Sequence, residues 1–526
     1  MLGVGGGCRM TGAPRFRQAM AGLHTWTGLL FGWLLYAMFL TGAVSYFREE
    51  LSQWMRPEVP ALKQAPDAAR SATQAVASLQ ALAPGATQWV IELAGERTNA
   101  VAASWHGSNG DGKDGKDGRA LLDPLTGHAV HARETHGGEF FYYFHFSLHY
   151  LPRVVGRWLV GLATMFMLVA LVSGVVTHKK IFANFFTFRR GKGQRSWLDA
   201  HNALSVTALP FHLMITYTGL VTLMTLYMPW GADSAPDTAQ ARHALRAEMT
   251  AFLPTGAASG TAAPLADVGA MVREAERRWG AGRVARLLVD NPGDAAARVT
   301  VVRGDAGRVS VSPRHAVFNG ASGALLQLKD HSAPAAETRG VLYGLHVGRF
   351  ADGVTRWLYF FASLTGAAMV ATGLVLWTAK RRARLAARQT SPLGLRLVER
   401  LNVAAIAGLP VAMAAFLWGN RLLPPGLVAR GEWEVHLFFI AWGLMLLHAC
   451  VRGVKCVRGV GRAWTEQFAA AAVLLAALPL ASALTGHRDL LASLRAGDGV
   501  FASFELTLVA LAGVFAAVAL KLARRR

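Results

Sequence analysis

The sequence predicts a mainly α membrane protein, built on a helix–outer domain–helix unit that occurs twice and is followed by further membrane helices. Three observations lead there. Hydrophobic residues make up 53% of the 526 positions and charged residues only 16%. Mean hydropathy is +0.30, too apolar for an ordinary soluble chain. Apolar runs long enough to cross roughly 30 Å of hydrocarbon recur along the chain. Two of these runs carry the same marks at one interval: His24 stands 17 residues before Thr41–Gly42, and His201 stands 17 before Thr218–Gly219.

By hydropathy the runs fall at roughly 23–46, 154–177, 201–229, 357–379, 401–420, 434–451, 468–486 and 501–522, about eight helices. The fifth and seventh are Ala-rich and interrupted by Pro410 and Pro479. The formal net charge is +22. Its basic residues gather in short blocks beside apolar runs, the pattern of membrane topology rather than of nucleic-acid binding. Arg9, Arg15 and Arg17 precede the first helix. Further blocks lie at Lys179–Arg195, Lys380–Arg396, Arg452–Arg462 and Lys521–Arg526. If the helices alternate, every block lands on one side, so both termini are expected in the cytoplasm. The N-terminus lacks the apolar core of a cleaved signal, and the first run is read as a retained membrane helix.

Two long segments, about 47–140 and 231–345, are expected on the opposite, outer side. In the second, APLADVGAMVREAERRWG is an amphipathic helix, and RVARLLVD, ARVTVVRG and RVSVSP are alternating strands. The first is similar: ATQAVASLQALAP as helix, QWVIELAG and NAVAASWHG as strands. LLDPLTGHAV matches AVFNGASGALL as strand, turn, strand. The run Gly110–Gly118 reads as a flexible hairpin tip, and its spacing is not that of an EF-hand. Cys8, Cys450 and Cys456 support neither a disulfide framework nor a Cys-rich metal site.

The duplication continues past these segments. SLHYLPRVVGRWLVGLATMFMLVALVSG and GLHVGRFADGVTRWLYFFASLTGAAMVATG share Leu-His, then Arg-Trp-Leu, then a small hydroxyl residue and Gly. The interval Trp158 to Ser173 equals that from Trp357 to Thr372, 15 residues. Parallel repeats pack about an axis along the membrane normal, with sites between the halves. The expected divisions are 1–46 (tail and first helix), 47–140 (first outer domain), 141–230 (second and third helices), 231–345 (second outer domain), 346–380 (fourth helix) and 392–526 (a four-helix extension).

Histidines then come in matched pairs: His24 with His201 at the cytoplasmic helix starts, and His149 with His346 at the outer entries. Ionisable side chains in membrane segments mark function. Two neutral imidazoles facing across a gap between apolar helices suit the axial positions of a b-type haem. A divalent metal would want further ligands, and no carboxylate lies inside these helices. Two haem b groups, one near each face, would make a wire across the bilayer. His145 lies one turn before His149, and either could be the outer ligand. His212 has Leu35 as its counterpart, so symmetry does not support it; a ligand or proton-linked role is open. His178 reads as solvated, and His436 and His448 as structural. Trp26, Trp33, Trp158, Trp230 and Trp357 fit an interfacial belt. Arg157 and Arg356 suit haem propionates or lipid headgroups equally.

These helices resemble the PepSY-associated transmembrane family of bacterial inner-membrane proteins, over roughly residues 20–380. The resemblance rests on LHTWTGLLFGWLLYAMFLTG, SLHYLPRVVGRWLVGL, LDAHNALSVTALPFHLMITYTGL and GLHVGRF with TRWLYF and ATGLVLW. It implies two PepSY-like outer domains, haem b on His24, His201, His149 and His346, and reduction of a ferric siderophore in the periplasm. There is no G-x-G-x-x-G between a strand and a helix, so a quinol or a separate cytoplasmic reductase is expected as donor. The alternative is a haem-free membrane scaffold or transport accessory whose outer domains bind a partner.

Overall fold

The computed structural model describes residues 16–107, 117–178, 187–189, 191–228, 247–251, 256–385, 392–455, 457–485 and 488–524, with Phe185 and Trp230 as single positions. The expected hairpin tip at Gly110–Gly118 lies almost wholly outside these, as do Cys8 and Cys456. The protein is a multi-pass membrane protein, helical for the most part, with one antiparallel sheet among the described residues. Among the described residues, six helices or continuous helix pairs are long and apolar enough to cross a bilayer, and up to eight if each of two bent pairs is one span.

The bent pairs belong to the repeat. α1 (Phe16–Leu30) turns through 64° into α2 (Gly32–Ser45), and α7 (Gln194–Thr207) turns through 69° into α8 (Leu209–Thr222). Each break falls seven residues after a histidine, at Phe31 after His24 and at Ala208 after His201. The breaks share a backbone state, φ −108° and ψ 2° at Phe31, φ −123° and ψ 28° at Ala208. Their local causes differ. Pro210 has no N–H to continue the first leg's hydrogen bonds. At Gly32 the Leu374 side chain approaches so closely that a Cβ would sit 2.7 Å from it. The return helices are α6 (Arg153–Thr177) and, in the second repeat, a 33-residue span labelled below.

Between the two helices of the first repeat come α3 (Arg48–Trp54), α4 (Ala68–Leu82), β1 (Gln88–Glu92), β2 (Val101–His106), β3 (Gly118–Leu122) and α5 (Glu139–Ser147). After the short α9 (Met224–Tyr227), the second repeat supplies α10 (Val268–Trp279), β4 (Val284–Asp290), β5 (Arg298–Arg303), β6 (His315–Asn319), β7 (Leu325–Lys329), α11 (Pro334–Val347) and α12 (Gly353–Leu385). The two segments between the membrane helices close into one seven-stranded sheet, ordered β3-β2-β1-β4-β5-β6-β7. The join is antiparallel, with Trp89 opposite Val289 and Ile91 opposite Leu287, so the internal symmetry axis passes between β1 and β4. α4 and α10 cover one face and bury Leu79, Trp89, Ile91, Val272, Leu287, Val299 and Val301 in a common core. Joining the edges removes two exposed strand borders at once. RVSVSP is not a strand. There Val311 donates its N–H to the Gly340 carbonyl, and Ser310 and Ser312 are buried against α11.

The C-terminal helices α13 (Leu393–Ile406), α14 (Gly408–Leu422), α15 (Arg430–Lys455), α16 (Val457–Thr485), α17 (Leu490–Ala496) and α18 (Gly499–Ala523) pack on the first repeat. Phe140 of α5 stacks on Phe416 at 4.9 Å, and Trp54 of α3 lies 4.9 Å from Phe504. Trp33 donates to Asn402 Oδ1 at 2.9 Å, and the Tyr36 hydroxyl to the Ile406 carbonyl at 3.1 Å.

Candidate functional site: two histidine pairs

Four imidazoles form two pairs, each with ring centres 6.1 Å apart. His24 faces His201 at the end of the helices away from the sheet, and His145 faces His346 at the sheet end. The second pair differs from the one expected. His346 meets His145, and His149 lies elsewhere. The repeated Leu-His dipeptide aligned His149 with His346, but the helices align differently. His145 lies in the last turn of α5, as His346 lies in the last turn of α11. Beyond Ser147 the chain reverses through Leu148 (φ 56°) and Tyr150 (φ 63°). Side chains past that reversal leave the face that His145 presents. His149 therefore stacks on Phe439 of α15, with Nε2 3.8 Å from Glu432. Gly156 permits the reversal: a Cβ there would overlap the Ser147 carbonyl.

One construction holds all four rings. Each Nδ1 donates to a backbone carbonyl: His24 to Ala170 (2.8 Å), His201 to Met369 (2.9 Å), His145 to Met38 (2.7 Å) and His346 to Ile215 (3.0 Å). Four residues beyond each acceptor is a glycine against the ring. A Cβ on Gly174, Gly373, Gly42 or Gly219 would stand 3.1, 3.1, 2.8 or 2.9 Å from the imidazole. Before each glycine a hydroxyl, from Ser173, Thr372, Thr41 or Thr218, also donates to that same carbonyl. Each repeat thus grips its own two rings, His24 and His145 in the first and His201 and His346 in the second, and lends one to each pair. The small hydroxyl–glycine steps visible in the sequence as repeat marks are these cradles, a role that their spacing alone does not show.

Fixing Nδ1–H on a carbonyl selects the tautomer whose Nε2 carries a lone pair, the arrangement of metal-ligating histidine. Among the described residues, Nε2 of these four rings has no hydrogen-bond partner. A metal–imidazole bond of about 2.0 Å on each side plus a ring radius of about 1.1 Å sets two axial rings about 6.2 Å apart. The observed 6.1 Å fits one iron between each pair. No group of three or more His, Cys, Asp or Glu able to hold a metal occurs among the described residues. Along α7 and α8, His201 and the Gly219 cradle are 18 residues apart. That is about 27 Å of helix path at 1.5 Å per residue, shortened by the bend. The two sites lie near opposite ends of the same helices.

His212 lies between them and is fully buried. Its Nε2 is 3.4 Å from the Ala362 carbonyl and 3.3 Å from the Thr365 hydroxyl, and its Nδ1 has no partner. It faces Phe39, not another imidazole. His178 is held by Asn202 rather than solvated. His436 pairs with the Tyr150 hydroxyl. Arg356 is ion-paired with Glu50, whereas Arg157 donates to Ser147 Oγ at 3.3 Å.

His145 and His346 line a cavity of about 1590 Å³ that continues up to the sheet domain. Glu50 pins its wall by binding both Arg97 and Arg356. Burial alone would raise the Glu50 pKa, but the two guanidinium groups hold it below the usual carboxylate value.

A duplicated membrane-helix protein with a shared sheet and paired internal histidines is the class that this geometry defines. The chain belongs to the family of the PepSY-associated TM region, which it matches over residues 21–380. It is also similar to an uncharacterized protein of Pseudomonas aeruginosa, 27% identical over 303 residues, covering 55% of this chain and 73% of that protein.

Proposed function

We propose that the protein is a transmembrane electron carrier with two haem b groups, reducing a ferric siderophore at its sheet-bearing face. The observation that carries this reading is the fourfold cradle. Four imidazoles are tied through Nδ1 to carbonyls, and each of the two pairs is spaced for one iron. Bound there, haem would supply a reversible one-electron carrier in a low-spin, two-imidazole field, suited to electron transfer rather than to oxygen chemistry.

The chain's own residues do the rest. The carbonyls and hydroxyls orient the rings, and the glycines let the helices approach closely. Between the pairs, Leu35, Met38, Val160, Met167, Leu171 and Met369 form an apolar cluster. The cavity at the sheet-side pair gives an acceptor access from outside, and the donor would be a quinol or a cytoplasmic reductase at the other pair. Arg381, Arg382 and Arg384 close α12 at that far end, supporting a cytoplasmic assignment for it and an inner-membrane location.

The test is a visible spectrum and haem-to-protein ratio of the purified full-length protein, followed by anaerobic reoxidation with ferric chelates. The expected result is a reduced b-type spectrum with two haems per chain, discharged by the chelate. A colourless protein would overturn the reading and leave the scaffold alternative.

A further inference from the structure

The cavity above the sheet-side pair carries more arginine than it can neutralise. Several of its guanidinium groups are committed: Arg97 and Arg356 to Glu50, Arg48 to Glu139 and Arg349 to Asp305. Three others that line the same cavity are not. Arg283, Arg303 and Arg339 are half-buried and have no carboxylate within ion-pair distance among the described residues. Arg283 and Arg303 spend one N–H each on the Ala306 and Gly304 carbonyls, at 3.1 Å in both cases. Arg339 has a buried Nε with no partner at all. Half-buried cations that outnumber the carboxylates around one cavity are costly, and such a site is relieved by an anion. Burial, with Arg308, Arg314 and Arg283 nearby, holds the Arg303 guanidinium below its ordinary pKa despite the opposing pull of Asp305.

Their placement gives the cluster a direction. Arg339, Tyr343 and His346 follow one another on a single face of α11 at intervals of four and three. The Arg339 guanidinium lies over the Tyr343 ring at 5.6 Å. Arg283 and Arg303 come from the facing ends of β4 and β5, where Val284 pairs with Arg303. The wall therefore runs from an unpaired cationic rim, past an aromatic ring, to an imidazole of the sheet-side pair.

We propose that this rim selects acceptors by charge: Arg283, Arg303 and Arg339 bind the carboxylate or catecholate oxygens of an anionic ferric chelate, in preference to neutral hydroxamate chelates. Guanidinium suits such oxygens because its planar N–H fork matches their geometry. The inference rests on the proposed function for its choice of ligand, and its test does not depend on electron transfer. Gallium(III) has the charge and size of ferric iron but is not reduced, so binding is read apart from redox.

Isothermal titration of the full-length protein in neutral detergent, with a gallium tris-catecholate and a neutral gallium tris-hydroxamate, is the experiment. Binding of the anionic complex at least tenfold tighter, weakening as salt rises, is expected. Arg283→Gln, Arg303→Gln and Arg339→Gln should each weaken that complex about tenfold, leaving the neutral one and the haem-to-protein ratio unchanged. Equal binding of the two complexes would overturn the proposal, as would variants that bind like the parent. Loss of pigment or a shifted haem potential in Arg339→Gln, with chelate binding intact, would overturn it too, by assigning that arginine to haem propionates. A colourless protein that still bound the anion through these arginines would refute the proposed function but uphold this inference.

Discussion

The N-terminal repeats and the C-terminal extension both bury polar side chains among membrane helices, and they satisfy them in opposite ways. In the extension, opposite charges and carbonyls close on one another. Arg430 pairs with Glu434, whose carboxylate also takes Asn420 Nδ2 at 2.8 Å and the Thr135 hydroxyl. Arg421 donates to the Trp54 carbonyl at 2.9 Å and lies over its ring at 3.7 Å. His448 engages both ring nitrogens, Nε2 with Glu466 at 2.9 Å and Nδ1 with Gln467 at 3.2 Å. In the repeats, each of four imidazoles uses one nitrogen and leaves the other without a partner among the described residues. These networks fasten the extension to α3 and to the Arg133–Thr135 segment. The half-used rings are what the proposed haem ligation would complete. A buried polar group is thus read by what it leaves unsatisfied, not by its burial.

The largest effect that would break this contrast is in the histidines. His145→Ala and His346→Ala should each remove one of the two haems, halving the haem-to-protein ratio, whereas His149→Ala and His448→Ala should leave it unchanged. Loss of pigment in His149→Ala with retention in His145→Ala would reverse the assignment of the sheet-side pair. In the extension the cost should appear as stability instead. Arg430→Ala strands the buried Glu434 carboxylate and should cost about 3–5 kcal/mol, seen as a lower melting temperature with pigment retained in the folded fraction.

Glycine substitutions sharpen the comparison at smaller scale. Gly219→Ala puts a methyl 2.9 Å from His346. Overpacking of this kind costs about 1–3 kcal/mol, and it should perturb one haem's spectrum. Gly443 of α15 has open space around it, so Gly443→Ala should be neutral or stabilise by up to about 1 kcal/mol. Trp33→Phe, which deletes the hydrogen bond to Asn402 between the two regions, should cost only about 1 kcal/mol. The smallest effect concerns pH. Because Glu50 has its folded pKa depressed, its contribution is present above the unfolded carboxylate value and is lost as pH falls through the folded one. Acid titration should therefore loosen the cavity wall, and Glu50→Gln should flatten that part of the stability profile.

Much of the fold was legible because hydropathy and repetition are local signals. The intervals His24 to Thr41–Gly42 and His201 to Thr218–Gly219 mark one unit used twice, and those two histidines do lie opposite each other, ring centres 6.1 Å apart. Alternating strands were readable at Gln88–Glu92 and Val284–Asp290, but their pairing into a single sheet joins residues some 200 positions apart and leaves no local trace. RVSVSP alternates like a strand yet lies against α11, since tertiary contact outweighs β propensity. His145 and His149 share a face only if the helix continues, and Leu148 ends it.

What the sequence determined by itself was the number and length of the apolar helices, the duplication, and which side chains are too polar to be in them without purpose. Those follow from side-chain chemistry and period, which each segment carries alone. Only the tertiary structure decided which imidazoles meet, which carbonyl fixes each Nδ1, and which arginines remain unpaired at the cavity. These depend on where a helix stops and how closely a glycine lets its neighbour approach, and both are set by packing between segments distant in the chain.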